Sequence, residues 1–351
     1  MSEFTSEVVA AEDDDAALEW LHANRRTDGL PVVVPTPARV RTMLATCDRD
    51  PASSFGRIGP AMAEATVEKV VINAVMAGCR PEHLPVVFAA ARAVCDPALD
   101  MTEAQSTTHC IAPLMIVNGP AAQTAGLASS FGVLGYGHRA NLSIGRALRL
   151  CLINIGGGWP EVSDLALHGH PGAIAYCITE NDASPFPPLH SSLGFAPESS
   201  AVTVVNVEAP HSVLVLPEAG DPTAADRILT TLARSLSRLG ANNTLSGNGS
   251  VVVVLNPDHA SALAAAGHDR ESVQRELAAR SGARVDEHRE VTPPGRLPLL
   301  EGKPDDERLP SIKDPSQVVV TVAGGTGLYS MVMPSWGAGP HHNRAVTVAV
   351  D

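Results

Sequence analysis

The segment from Thr66 to Cys95 constrains the fold more than any other. Thr66-Val-Glu-Lys-Val-Val-Ile-Asn-Ala-Val-Met-Ala-Gly78 reads as a helix with Thr66 as N-cap, Lys69 where a capping box would put Glu, and Gly78 as terminator. Pro81 opens a second helix to about Cys95. Ala74, Ala77, Ala89, Ala90 and Ala91 give the pair small, apolar faces. Such faces let helices approach closely, so a buried helical hairpin is predicted.

The rest of the core must be aliphatic as well. Of 351 residues 44% are hydrophobic, yet the rings amount to 3 Trp, 3 Tyr and 6 Phe. With 18% charged residues the composition is globular, and the length suits two domains or one large α/β unit. The formal net charge of −13, the lack of basic runs and the few stacking rings exclude nucleic-acid binding. No apolar stretch reaches the roughly 18 residues of a membrane span. The acidic start (Glu3, Glu7, Glu12, Asp13, Asp14, Asp15) lacks the basic lead and apolar core of a signal peptide. Cys47, Cys79, Cys95, Cys110, Cys151 and Cys177 form no CxxC pair and read as reduced, cytoplasmic thiols.

Helices are predicted over 16–23 and 37–46, the latter capped by Thr36, and strands over 29–36 and 114–119. A helix from Asn141 to Asn154 stops at Gly156-Gly-Gly158. Strands over 173–179 and 200–207 are followed by a helix over 221–239, a strand over 250–255 and helices over 258–266 and 270–280. Strands over 317–323, 328–333 and 345–350 complete the chain. This order predicts an α/β (or α+β) fold of layered sheets with packed helices. A disordered acidic lead (1–15), an N-terminal domain (16–198) and a C-terminal domain (199–351) are expected, the last holding an exposed Pro-rich connection (286–315). Arg80-Pro-Glu-His-Leu and Asn256-Pro-Asp-His-Ala share two of five residues, too few to imply duplication.

Several segments resemble one uncharacterised bacterial family. They are Asp28-Gly-Leu-Pro-Val-Val-Val-Pro-Thr36, the stretch from Ala65 to Pro85, Asn118-Gly-Pro, Arg139-Ala-Asn141 and Gly145-Arg-Ala-Leu-Arg149. The similarity continues through Glu180-Asn181, Ser184-Pro185, Leu189-His190, Gly194-Phe-Ala-Pro197, Asn256-Pro-Asp-His259 and Ala323-Gly-Gly325. That family accompanies, or is fused to, proteins with a UGSC motif, a selenocysteine- or cysteine-containing site. This chain has no Cys-Gly-Ser-Cys of its own. The resemblance therefore implies a separate UGSC-type partner and a thiol or selenol theme.

Residue chemistry supplies the candidate site. Cys79, between a helix end and the helix opened by Pro81 and beside Arg80, is either a dipole-stabilised nucleophile or a buried small hydrophobe. In Thr107-Thr-His109-Cys110, His109 is the acid/base candidate, and a structural histidine is the alternative. Cys110 can act with it only in a loop, because adjacent strand side chains point apart. Arg139 and Asn141 at a helix start suggest an anion site, or a plain N-cap at Asn141. Glu180-Asn181 ends a strand, where side chains of layered α/β folds reach a cleft, and Glu180 is a candidate base. His190, Asn118 and Asn181 complete the predicted set. His168-Gly-His170 with Glu180 and His190 would allow a metal, but the gap of ten residues to the carboxylate is not diagnostic, and no metal is assigned. Ala323-Gly-Gly-Thr-Gly327 lacks the full GxGxxG register, so no cofactor is specified.

Phe131, Tyr136, Trp159, Tyr176, Phe186 and Phe195 all fall between residues 131 and 195, which predicts a small-molecule pocket there. Two functions compete. One is an enzyme, oxidoreductase, lyase or hydrolase, performing thiol/selenol-linked redox or carbon–heteroatom cleavage on a small organic anion. The other is a non-catalytic subunit that positions a thiol/selenol protein. A homo-oligomer is expected, and a nucleotide-binding module is a third option.

Overall fold

The computed structural model describes residues 4–216, 218 and 220–351. Helix α1 (Asp14–Ala23) starts at Asp13, whose carboxylate accepts the Ala16 amide at 2.8 Å. Helix α2 (Pro37–Leu44) starts at Thr36, with Pro37 in the first turn, where a missing amide proton costs nothing. A hairpin of β1 (Ser54–Ile58) and β2 (Ala63–Thr66) leads into α3 (Val67–Met76), capped by the Thr66 hydroxyl on the Lys69 amide. Gly78 turns the chain at φ +74°, and α4 (Leu84–Ala93) follows a 3-10 turn at Pro81–His83. The expected hairpin is present, with Ala74, Ala89, Ala90 and Ala91 in one core.

The main strands are β3 (Ala112–Asn118), β4 (Cys177–Thr179), β5 (Ala201–Val207), β6 (His211–Leu214) and β7 (Val251–Leu255). After a short ribbon of β8 (Ala283–Arg284) and β9 (Arg308–Leu309) come β10 (Val318–Val322), β11 (Tyr329–Met333) and β12 (Val346–Ala349). The remaining long helices are α5 (Arg139–Asn154), α6 (Ala224–Leu236), α7 (Pro257–Ala265) and α8 (Arg270–Arg280). Strands assemble into two four-stranded mixed sheets, ordered β12-β5-β3-β4 and β10-β7-β11-β6.

Side chains alternate across a strand, and that alternation divides the core in three. Leu114 and Ile116 of β3 share a cluster with Val252 and Val254 of β7, so the sheets stack face to face. Met115 and Val117 point the other way, into α3, α4 and α5. Val251, Val253 and Leu255 likewise face α6, α7 and α8. The result is an α/β/β/α sandwich, in the predicted α/β class.

The two sheets repeat one pattern. In each, a parallel pair (β3 and β4, or β7 and β10) is followed by an antiparallel third strand, β5 or β11, beside the first. The fourth strand of each half then crosses to the edge of the other sheet: β6 pairs with β11, and β12 pairs with β5. Topology thus shows a repeat that five residues of sequence could not. Division at 198/199 does not separate the sheets, since β5 pairs with β3 through all seven residues from Ala201 to Val207.

Other expectations are corrected. Residues 31–36 form no strand, because Pro31 and Pro35 lack the amides a ladder needs; only Val33 N–H reaches across, to the Met76 carbonyl at 3.0 Å. The strand expected from Ala173 starts only at Cys177, after a 3-10 turn at Pro171–Ala173. The Pro-rich connection holds a helix at Val285–Val291, the β8–β9 ribbon and a 3-10 segment at Pro294–Leu300. The acidic lead is anchored: Thr5 and Ser6 donate four hydrogen bonds, from amides and hydroxyls, to the buried Glu68 carboxylate at 2.6–3.0 Å. Residues 1–3 of that lead lie outside the described residues.

Candidate functional site

The tertiary fold separates the predicted residues into three places. The first is the carboxyl end of β3 and β4. Glu180 accepts Asn118 Nδ2 and the Leu189 amide at 2.6 Å each, Thr321 Oγ1 at 3.1 Å and Arg270 at 3.0 Å. Both oxygens are filled by protein donors, so Glu180 has no lone pair to offer a substrate. Asn181 closes an Asx turn on Ala183 and donates to the Gly324 carbonyl at 2.8 Å. His190 is fully buried, and neither ring nitrogen has a partner among the described residues. This group clamps the two sheets together and does not open to solvent as a cleft base must.

The second place lies before β3. His109 Nε2 meets Glu208 Oε1 at 3.0 Å, and Nδ1 meets Asn242 Nδ2 at 2.9 Å. With both nitrogens engaged, His109 links β5 to the second half of the chain. Cys110 points elsewhere, its sulfur accepting the amides of His168 and Gly169 at 3.3 and 3.1 Å. His170 Nδ1 accepts the Gly172 amide, and its ring packs edge-on to Tyr176. Burial holds His170 below the ordinary imidazole range. Among the described residues no cluster of three His, Cys, Asp or Glu could hold a metal.

The third place joins Cys79 and Arg139 in one cleft of about 460 Å³. Its framework is set by Arg146, which grips Asp28 through two bonds of 2.7 Å and donates to the Pro31 carbonyl at 2.9 Å. That clamp lays residues 28–33 along α5, and Val33 and Pro81 both line the cleft. Met43 and Val75 add apolar surface, and Arg39 and Thr42 of α2 supply the polar side. Arg39 donates to Asp14 at 3.2 Å, an exposed pair of small worth. Arg139 makes one long bond, 3.4 Å to the Gly78 carbonyl, and pairs with no carboxylate among the described residues. Arg139 is exposed at the rim of this cleft, so its guanidinium is accessible to an incoming anion.

Cys79 is not an activated nucleophile. Its thiol donates to the Ser143 carbonyl at 3.4 Å, and burial pushes its pKa up to about 12 despite Arg139 nearby. Asn141 is neither N-cap nor ligand group: it exchanges hydrogen bonds with both backbone groups of Ala128, at 2.9 and 3.0 Å, and donates to Cys177 O. His138 holds the N-cap place of α5.

The expected aromatic pocket is not formed. Tyr176 and Phe186 are buried in different clusters, while Phe131 and Tyr136 are 70% and 93% exposed. Gly325 lacks a side chain because a Cβ there would run into the Phe131 ring, so the Gly-rich turn serves a neighbouring segment. Sequence reasoning missed Arg39, Thr42, Glu208 and Asn242; only the amphipathic pattern of α2 could have singled out the first two. Among the described residues, no helix is long and apolar enough to cross a membrane. Compared with known proteins, the chain matches no family model, no curated protein and no solved structure.

Proposed function

We propose that this chain binds a small organic anion, a carboxylate on a short apolar body, in the cleft between α2, the turn at Gly78–Pro81 and the start of α5. It then presents that molecule to a separate thiol- or selenol-bearing polypeptide of the UGSC type. The observation that carries the reading is Arg139, a guanidinium without a carboxylate partner among the described residues, set beside apolar walls. A guanidinium fork suits a carboxylate, and Val33, Met43 and Val75 suit its body. Support for an external thiol comes from the state of this chain's own groups: Cys79 is buried and protonated, His109 is bonded at both nitrogens, and Glu180 is saturated. A cytoplasmic location goes with this reading, supported by six free cysteines.

Calorimetric titration with butyrate, benzoate and their neutral alcohols tests it. Carboxylates should bind and alcohols should not, and Arg139→Gln should weaken binding by about 10- to 100-fold, the worth of a charge-assisted bond. A flat titration with every acid overturns the proposal. A second reading keeps the chemistry on this chain, with Cys79 as the thiol, because Cys79 and Arg139 line the same cleft. Turnover by the purified chain alone, abolished in Cys79→Ser, would favour it.

A further inference from the structure

A second cavity, of about 320 Å³, lies on the other side of α2, between α1 and the arm of residues 4–13. Its interior is apolar: Val8, Trp20, Leu21, Val40 and Ile72 face it. The arm that forms one wall is held by Glu68 through the four hydrogen bonds from Thr5 and Ser6. The cavity is therefore a built feature of the fold.

The charged residues that line it are the carboxylates Glu7, Asp13 and Asp14, with Arg39 bonded to Asp14 at the rim. Two of these carboxylates are already used, Asp13 as the cap of α1 and Asp14 by Arg39. Glu7 carries no ion pair or hydrogen bond among the described residues. Trp20 lines the cavity, is 38% exposed and has no ring or cation partner among them. A hydrophobic interior, an aromatic face and a free carboxylate together describe a receptor for an apolar ammonium ion. A carboxylate ligand would meet like charge at the mouth, and a neutral one would leave Glu7 without a counterion.

We infer that this cavity is a second ligand site, distinct from the Arg139 cleft, which takes a hydrophobic monocation such as an alkyl- or arylalkylammonium. The cation head sits between Trp20 and Glu7, and the body lies against Val40 and Ile72. No covalent step is involved.

The test titrates the full chain with hexyltrimethylammonium, 1-hexanol and hexanoate, following heat and indole fluorescence. The ammonium should bind saturably and shift the fluorescence, with 1-hexanol about tenfold weaker or worse. Hexanoate should leave the Trp20 signal unchanged, even if it binds the Arg139 cleft. Glu7→Gln should weaken the ammonium about three- to tenfold, and Trp20→Leu should remove the fluorescence response and weaken it about tenfold. Circular dichroism of both variants establishes that the fold is retained, and Glu7, being exposed, tests the idea even if Trp20→Leu does not fold. Equal affinity for 1-hexanol, or ammonium binding unchanged in Glu7→Gln, would overturn the inference. Arg139→Gln should leave ammonium binding intact, which separates this site from the proposed anion cleft.

Discussion

Glu180 and Arg270 form an ion pair of 3.0 Å with both side chains nearly out of water, 9% and 2% exposed. The pair ties the end of β4 in the first sheet to the start of α8 behind the second, and Arg270 also donates to the Val320 and Pro187 carbonyls. Removing one partner strands a buried charge. Glu180→Gln should therefore destabilise the chain by about 3–5 kcal/mol in urea unfolding, as uncompensated buried charges do. Replacing both residues should cost less than the sum of the single losses. A catalytic Glu180 would instead show normal stability and lost activity.

Cys79 should be inert. With its pKa near 12 the thiol is protonated at neutral pH, and most of its surface is buried although it lines the cleft. Iodoacetamide at pH 7.5 should leave Cys79 unmodified in the folded chain and modify it in urea, as read by peptide mass spectrometry. Rapid labelling of the native protein would return Cys79 to the list of nucleophiles.

The arm of residues 4–13 should be pH-sensitive. Burial alone would raise the Glu68 pKa, but four hydrogen bonds from Thr5 and Ser6 outweigh it and hold the carboxyl below its ordinary 4.5. A depressed carboxyl contributes stability that is present above the unfolded value and lost as pH falls through the folded one. Proteolysis within the arm should be slow at pH 7 and accelerate below about pH 4.5. Glu68→Gln should cleave quickly at both pH values.

Asp14 and Arg39 couple the two cavities, since Asp14 borders one and Arg39 the other. Asp14→Asn releases Arg39 toward the cleft that holds Arg139. Butyrate should then bind about three- to tenfold more tightly, the worth of one further charge-assisted contact at an exposed site. Unchanged or weaker binding would show that Arg39 does not reach the anion.

His109 should matter for stability alone. His109→Ala removes bonds to Glu208 and Asn242 and should cost about 1–3 kcal/mol on denaturation, while carboxylate binding stays unchanged. A loss of binding at constant stability would place His109 in the site after all.

Much of the architecture was legible because it rests on local physics. Thr66 and Thr36 cap where a hydroxyl precedes a helical pattern, and the helix read over 270–280 is the one observed. The departures from expectation also have local causes. Two prolines kept 31–36 out of a sheet, and the exposed, mixed pattern of β6 hid a strand at 211–214. The candidate site was less legible. Arg139 and Cys79 line one cleft, whereas Asn118 is bonded to Glu180 and His109 to Glu208, away from that cleft.

By itself the sequence determined most of the long helices and buried strands, that the core is aliphatic and that the fold is α/β. Periodicity, caps and side-chain volume act within a few residues of one another, so they can be read along the chain. Only the tertiary structure decided the stacking of the sheets, the exchange of β6 and β12, and which polar groups are spent. A carboxylate such as Glu180 is reactive or saturated according to donors supplied by residues up to 142 positions away, here Asn118, Leu189, Arg270, Thr321 and Val322. Desolvation and pairing depend on what surrounds a group in space, and that surrounding belongs to the whole chain.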